Sequence, residues 1–250
     1  LIASTGYKNG YVYFSTPETF KNGNASIAAR NSKGVILWSW HIWCSEEGWN
    51  DHVYLNNAGI IMDRNLGATS ATPGDIGALG LFYQWGRKDP FMGASSIDLG
   101  DSDDTASSTG NWNAVTNWTT IDYADENPTT FIYNHTACDW CREENYNLRW
   151  KESEKTIYDP CPVGYRVPDG GYDGFWVNAC GHSTANESGI VSIYIDLDIE
   201  VDETNRGVVL TLSDGITKAW YPFTGTCYSS RVLAVGNRSF CWTTSTYPEF

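Results

Sequence analysis

The side chains in this sequence that could do chemistry are few, and their spacing limits what each could be. Cys138-Asp139-Trp140-Cys141 has the C-x-x-C spacing of a redox pair or of half a zinc site. No second C-x-x-C and no spaced histidine pair follows to complete a zinc tetrad, and no βαβ pattern surrounds it as a redox site requires. A loop-stapling disulfide, or two unrelated thiols, is the preferred reading. Asp98, Asp101, Asp103 and Asp104 give one loop the oxygen density that Ca²⁺ favours, but without the glycine and glutamate of an EF-hand. A solvated acidic loop is preferred there, and calcium is the one candidate cofactor. His41, His52, His135 and His182 are scattered and form no metal-binding pattern. Neither a G-x-S-x-G elbow nor a phosphate-binding glycine loop is present. A glycosidase-like carboxylate pair stays open as an alternative, although nothing singles out two residues for it. The expectation is a protein that is not an enzyme.

Composition narrows the function classes further. The 250 residues fit one large domain, read as a single unit over 1–250 with a leading β segment at 1–34 and the main body at 35–250. Thirty acidic against sixteen basic side chains leave a net charge of −14, which excludes the basic footprint of a nucleic-acid binder and electrostatic docking on an anionic membrane. Aromatic residues at 14% and charged residues at only 18% oppose disorder, and no apolar run is long enough to cross a bilayer. The opening residues carry no signal-peptide pattern and no initiator Met, which reads as a fragment or a processed product. Seven cysteines allow up to three bridges plus one thiol, and sequons occur at Asn24, Asn117, Asn134, Asn186 and Asn237.

The elements that must position these groups are mostly short strands. Tyr11–Phe14, Ala25–Ala29 and Gly59–Asp63 read as strands, and Val35–Trp43 as a strong one with bulk on both faces, hence buried on both sides. Gly77–Gly86 is the best helix candidate, because Leu79 and Tyr83, and Leu81 and Trp85, are four apart. Residues 93–158 are polar but studded with aromatics, which predicts a folded excursion pinned to the body. Residues 191–201 alternate with a period of two, and with 208–212 they predict a hairpin across a turn at 204–207. Ala219–Phe223 and Ser239–Thr243 complete the strands. Trp38, Trp40, Trp85, Trp220 and Trp242 are expected in the core. Arg64, Arg87 and Arg166, each close to an aspartate in sequence, are expected to pin loops through carboxylates or backbone carbonyls.

Several long strings now stand in one order: Ile36-Leu37-Trp38-Ser39-Trp40-His41-Ile42-Trp43, Met62-Asp63-Arg64-Asn65-Leu66-Gly67-Ala68, and Gly80-Leu81-Phe82-Tyr83-Gln84-Trp85-Gly86-Arg87-Lys88-Asp89-Pro90-Phe91. Tyr158-Asp159-Pro160-Cys161-Pro162-Val163-Gly164-Tyr165-Arg166-Val167-Pro168, Trp220-Tyr221-Pro222 and Phe240-Cys241-Trp242-Thr243-Thr244-Ser245 follow. From about residue 25 to 250 the series resembles the Fibrobacter succinogenes major paralogous domain, a family common in surface proteins of Bacteroidetes. The resemblance implies an α+β, C-type-lectin-like fold, related in shape to formylglycine-generating enzymes and loop-rich, with short antiparallel strands and one or two short helices. It also implies a cell-surface, extracellular or outer-membrane-anchored location, often at a fimbria tip. The thirteen residues between Cys227 and Cys241 separate them too widely to carry over the paired cysteines of formylglycine-generating enzymes. Trp49-Asn50-Asp51 lies too early in the chain to match the Trp-Asn-Asp string of calcium-dependent lectins.

The resulting expectation is a cell-adhesion or ligand-binding module whose partners are a glycan or a surface protein. The alternatives are a structural pilus subunit, with pilins as partners and N-terminal strands pairing with a neighbour, or a redox or hydrolytic enzyme on the same fold. In lectin-like proteins ligand contacts concentrate on loops outside the invariant body. Here those loops are 224–239 and 243–250, which nominate Tyr228, Arg231, Asn237, Arg238 and Tyr247 as ligand-binding residues sharing one exposed surface.

Overall fold

The computed structural model describes residues 1–97, 106–109, 112–133, 139–142, 149–171, 174–180, 184–185, 191–192, 200–228 and 231–245. The chain opens with two antiparallel hairpins. Strands β1 (Ser4–Lys8) and β2 (Tyr11–Ser15) join through a two-residue Asn9-Gly10 turn, and β3 (Gly23–Arg30) pairs with β4 (Ile36–Cys44). Next come the short pair β5 (Asp51–Val53) and β6 (Ile60–Met62), then β7 (Ala106–Thr109), and then β8 (Asn113–Val115), which runs parallel to β9 (Thr130–Ile132) around helix α1 (Ile121–Glu126). Helix α2 (Phe175–Cys180) precedes the pair β10 (Thr184–Ala185) and β11 (Val191–Ser192). A three-stranded meander follows, built of β12 (Glu200–Asp202), β13 (Gly207–Thr211) and β14 (Lys218–Pro222). Finally β15 (Thr226–Tyr228) and β16 (Arg231–Leu233) make a hairpin that adds β7 at its edge. Strand accounts for 34% and helix for 9%, an α+β arrangement of small, mostly antiparallel sheets well below the usual helical share.

Four of the sequence expectations change here. Gly77–Gly86 is not a helix. A single 3₁₀ turn, Ile76–Ala78, is followed by Gly80 at φ +72°, and a Cβ there would meet the Leu66 carbonyl at 2.8 Å. The chain then bridges Phe82 to Phe91 as an extended loop. The two helices instead lie at α1 and α2. Strand β4 is not covered on both sides: it has one partner strand, only Ser39 and Cys44 are buried, and Leu37 is exposed. Among the tryptophans, Trp40 and Trp242 are exposed, and Trp38, Trp85 and Trp220 are half-buried. The Trp85 and Trp242 indoles hold loops through N–H bonds at the surface of the body: Trp85 Nε1 donates to the Thr243 carbonyl at 2.9 Å, and Trp242 Nε1 to the Tyr83 carbonyl at 2.8 Å. Ser239–Thr243 forms no strand beyond one bridge from Ser239 to Gly225, and residues 193–199 of the alternating run lie outside the described residues.

The excursion at 93–158 is pinned as expected. Trp140, Trp150 and Phe131 are buried, and Phe91 stacks edge-on against both Trp112 and Phe131. At its centre are two buried arginines. The guanidinium of Arg149, 0% exposed, lies over Trp85 at 4.7 Å and over Trp140 at 5.4 Å, while its fork grips Asp139 at 2.8 and 2.9 Å. Arg87 sits over the other neighbours, Phe91 and Trp140. Its N–H groups donate to Gln84 Oε1 and to the carbonyls of Thr130, Ala124, Asn127 and Pro128, closing the C-terminal end of α1. Lys88, not Arg87, takes the Asp89 carboxylate, at 2.7 Å. Burial lowers the Arg87 pKa to about 10, so it remains a cation at neutral pH. Arg87→Leu removes the charge and leaves buried carbonyls without donors. Its urea unfolding should show a loss of about 3–5 kcal/mol, whereas Lys33→Leu on the exposed β3–β4 turn should leave the midpoint unchanged.

Candidate functional site

One cleft of about 490 Å³ stands out among the described residues. Its walls come from five parts of the chain: 58–66, 79–83, 160–169, the first turn of α2, and a C-terminal strap at 239–242, with Tyr221 and Thr224 behind. The strap is held at both ends. Thr224 Oγ1 lies 2.8 Å from Ser239 Oγ, the Thr244 N–H donates to the Pro168 carbonyl at 2.9 Å, and Ser245 Oγ donates to Glu152 at 3.0 Å. Gly170 allows this close approach, because a Cβ there would meet Thr243 Oγ1 at 2.4 Å. Between these anchors Phe240 is 66% and Trp242 52% exposed, and the indole bond to Tyr83 fixes the Trp242 ring. The result is an aromatic rim that needs little ordering on binding.

The cations in the wall are already matched. Arg64 binds Asp63 through Nε at 2.7 Å and Nη2 at 3.0 Å, and Arg166 binds Asp169 through both nitrogens at 2.5 and 2.7 Å. Burial raises the Asp63 carboxyl, but hydrogen bonds from Arg64 and Asn50 outweigh it and hold the group below the usual carboxylate range. The Arg166 fork holds Asp169 low in the same way. Of the three arginines expected to pin loops, Arg64 and Arg166 thus fork onto carboxylates, and Arg166 also donates to the Val167 carbonyl at 3.1 Å. Tyr221 donates to the Met62 carbonyl at 2.9 Å and lies 2.7 Å from Tyr54 Oη. The indole N–H of Trp176, buried in the wall, has no acceptor among the described residues. Burial pushes the Cys161 thiol far up, and the Cys227 thiol to about 12, so neither is a thiolate at neutral pH.

The residues nominated from sequence that the structure describes do not line the cleft. Arg231 is exposed on β16, directly across the hairpin from Tyr228. Asn237 and Arg238 are half-buried rather than exposed, because their turn is bonded to the body: Gly225 N–H donates to the Arg238 carbonyl and Gly236 N–H to Phe223, both at 2.8 Å. Tyr247, the Tyr228 side chain, Cys138 and the acidic residues Asp98, Asp101, Asp103 and Asp104 lie outside the described residues. Among the described residues no three His, Cys, Asp or Glu side chains gather as metal ligands. Phe240 and Trp242 do line the cleft; both stand in the strand expected over Ser239–Thr243, and Trp242 alone of the two is expected in the core. Their i, i+2 spacing puts them on one face, but spacing alone does not tell which face meets solvent. Comparison with family models, curated proteins and solved structures finds no match to this chain.

Tyr83 of the cleft wall is bonded to a neutral histidine. His41 Nε2 donates to Asn24 Oδ1 at 2.9 Å, Asn24 Nδ2 in turn donates to the Gly67 carbonyl, and Tyr83 Oη donates to His41 Nδ1 at 3.3 Å. Burial lowers the His41 pKa from 6.5 to about 4, against the opposing pull of Asp89. Above pH 6.5 the ring is neutral in both folded and unfolded chains. As pH falls toward 4 only the unfolded chain takes up the proton, so stability drops, by about 3 kcal/mol in all. Urea titrations of His41→Gln across that range should lack this loss; parallel curves for the variant and the parent would refute the assignment.

Proposed function

We propose that this protein is a non-enzymatic surface adhesion or ligand-binding module of lectin-like fold, which holds a glycan in the aromatic-rimmed cleft. The observation that carries the reading is the pair Phe240 and Trp242, exposed on a strap anchored at both ends above a cleft of about 490 Å³. Exposed aromatics are usually lost to the core or to a contact, so a fixed pair at a cleft rim argues for a ligand. Sugar rings suit it: their C–H faces stack on indole and phenyl. The matched Arg64–Asp63 and Arg166–Asp169 pairs leave no spare charge in the wall, which favours an uncharged saccharide. The resemblance of the ordered strings to the major paralogous domain supports the lectin-like fold and the cell-surface setting.

A glycan array read with and without EDTA tests the reading. Trp242→Ala should weaken binding of a neutral oligosaccharide hit by about tenfold or more while leaving the unfolding midpoint close to the parent's. If Trp242→Ala binds as the parent does and Tyr228→Ala or Arg231→Ala abolishes binding, the ligand sits on the β15–β16 hairpin and not in the cleft. Loss in EDTA would make calcium part of the site.

A further inference from the structure

We propose that the β1–β2 hairpin is a docking element for a second copy of this chain and seats on the acidic end of the partner's body, around Val53, Ile60 and Ile216. Every residue of β2 is exposed, and among the described residues β1 and β2 pair only with each other, so both outer edges are open. The register places Tyr7 opposite Val12 and Thr5 opposite Phe14, which collects Tyr7, Val12 and Phe14 on one face. Tyr7 is 72% and Tyr11 76% exposed, and Phe20 beyond the hairpin is exposed too. A two-stranded ribbon is marginal in water without a surface to cover it, and an open aromatic face with free edges marks an interaction site.

Charge indicates the occupant. Residues 1–35 hold four basic side chains, Lys8, Lys21, Arg30 and Lys33, against one acidic, Glu18, for a net +3. The remaining residues carry −17, so the body of another copy is an electrostatic complement to this basic segment. The receiving patch is identified by the same chemistry. Val53 pairs with Ile60 across β5 and β6, the Ser213 N–H donates to the Val53 carbonyl, and the turn that follows carries Asp214 and Ile216, the latter 82% exposed. Hydrogen bonds from Thr217 and Ile216 keep Asp214 ionised, and Asp51 lies at the other end of β5. An exposed apolar trio with Asp51 and Asp214 beside it, and Lys218 paired with Glu200 on the neighbouring strands, thus meets a hairpin that carries Tyr7, Val12 and Phe14 on one face and Lys8, Tyr11 and Tyr13 on the other. The donor and acceptor are different surfaces of one chain, so the contact is head-to-tail and leaves one of each open at the ends of any assembly.

That geometry gives a complementation test. Sedimentation velocity of the parent should show concentration-dependent association that weakens roughly tenfold or more as NaCl is raised. The donor variant Tyr7→Glu/Phe14→Glu and the acceptor variant Ile60→Lys/Ile216→Lys should each be monomeric with a parent-like circular dichroism spectrum. Mixed, they should form a one-to-one dimer that grows no further, because one good surface remains on each. Lys8→Glu/Lys21→Glu, which leaves the aromatic face intact, serves if the first donor variant misfolds, and should be monomeric in the same way. A parent that stays monomeric at all concentrations, association that survives both donor variants, or a mixture that does not dimerise would each overturn the proposal.

Discussion

Two arginine side chains in a layer of aromatic rings hold this molecule together. Arg149 and Arg87 share Trp140 between them, and Trp85 and Phe91 sit against their other faces. Taking such cations out of water costs several kcal/mol each, which the hydrogen bonds of their terminal nitrogens and facing π-systems offset. That requirement fixes what surrounds them. Asp139 must meet Arg149, and the carbonyls at the end of α1 must meet Arg87. Gln84 must reach Ile132 in both directions, and Trp140 must reach the Trp85 carbonyl. A fold with so little regular structure gets its uniqueness from contacts of this kind, where a small displacement would strand a charge.

The same layer reaches the cleft. Trp85 stacks on Arg149 with one face and sends its N–H to Thr243, so the strap bearing Phe240 and Trp242 is fastened to the buried cations. Tyr83, two residues earlier, supplies the carbonyl that fixes Trp242 and the hydroxyl that meets His41. One loop therefore serves the core through Gln84, Trp85 and Arg87 and the ligand face through Tyr83, which accounts for the high density of unusual residues in it.

How much of this was legible in the sequence depended on the range of the interaction. The hairpins at 23–44 and 200–211 showed through strand runs and turn residues, and Arg64 and Arg166 through aspartates one and three positions away. Gly77–Gly86 misled because its i, i+4 aromatics imitate a helical stripe, while Gly80 at positive φ breaks the helix and the bonds of Gln84 and Arg87 lead to residues more than forty positions away. The cleft was legible only as a region. Residues 224–239 and 243–250 are the loops that the sequence marks, while Trp242 between them reads as core, because local pattern cannot show that Thr243 and Ser245 pack against Gly170 and leave Phe240 and Trp242 at the surface.

The longest of these contacts bear on the order in which the protein is made. Tyr54 closes its hydroxyl pair with Tyr221, and Trp85 finds its acceptor at Thr243, separations of 167 and 158 residues. Loop-closure entropy must be met before such pairs form, so folding is governed by non-local contacts and is slow. During synthesis both aromatic half-cores remain open until nearly the whole chain has emerged. These contacts therefore close only once the C-terminal strap and the last strands are available to the residues that wait for them.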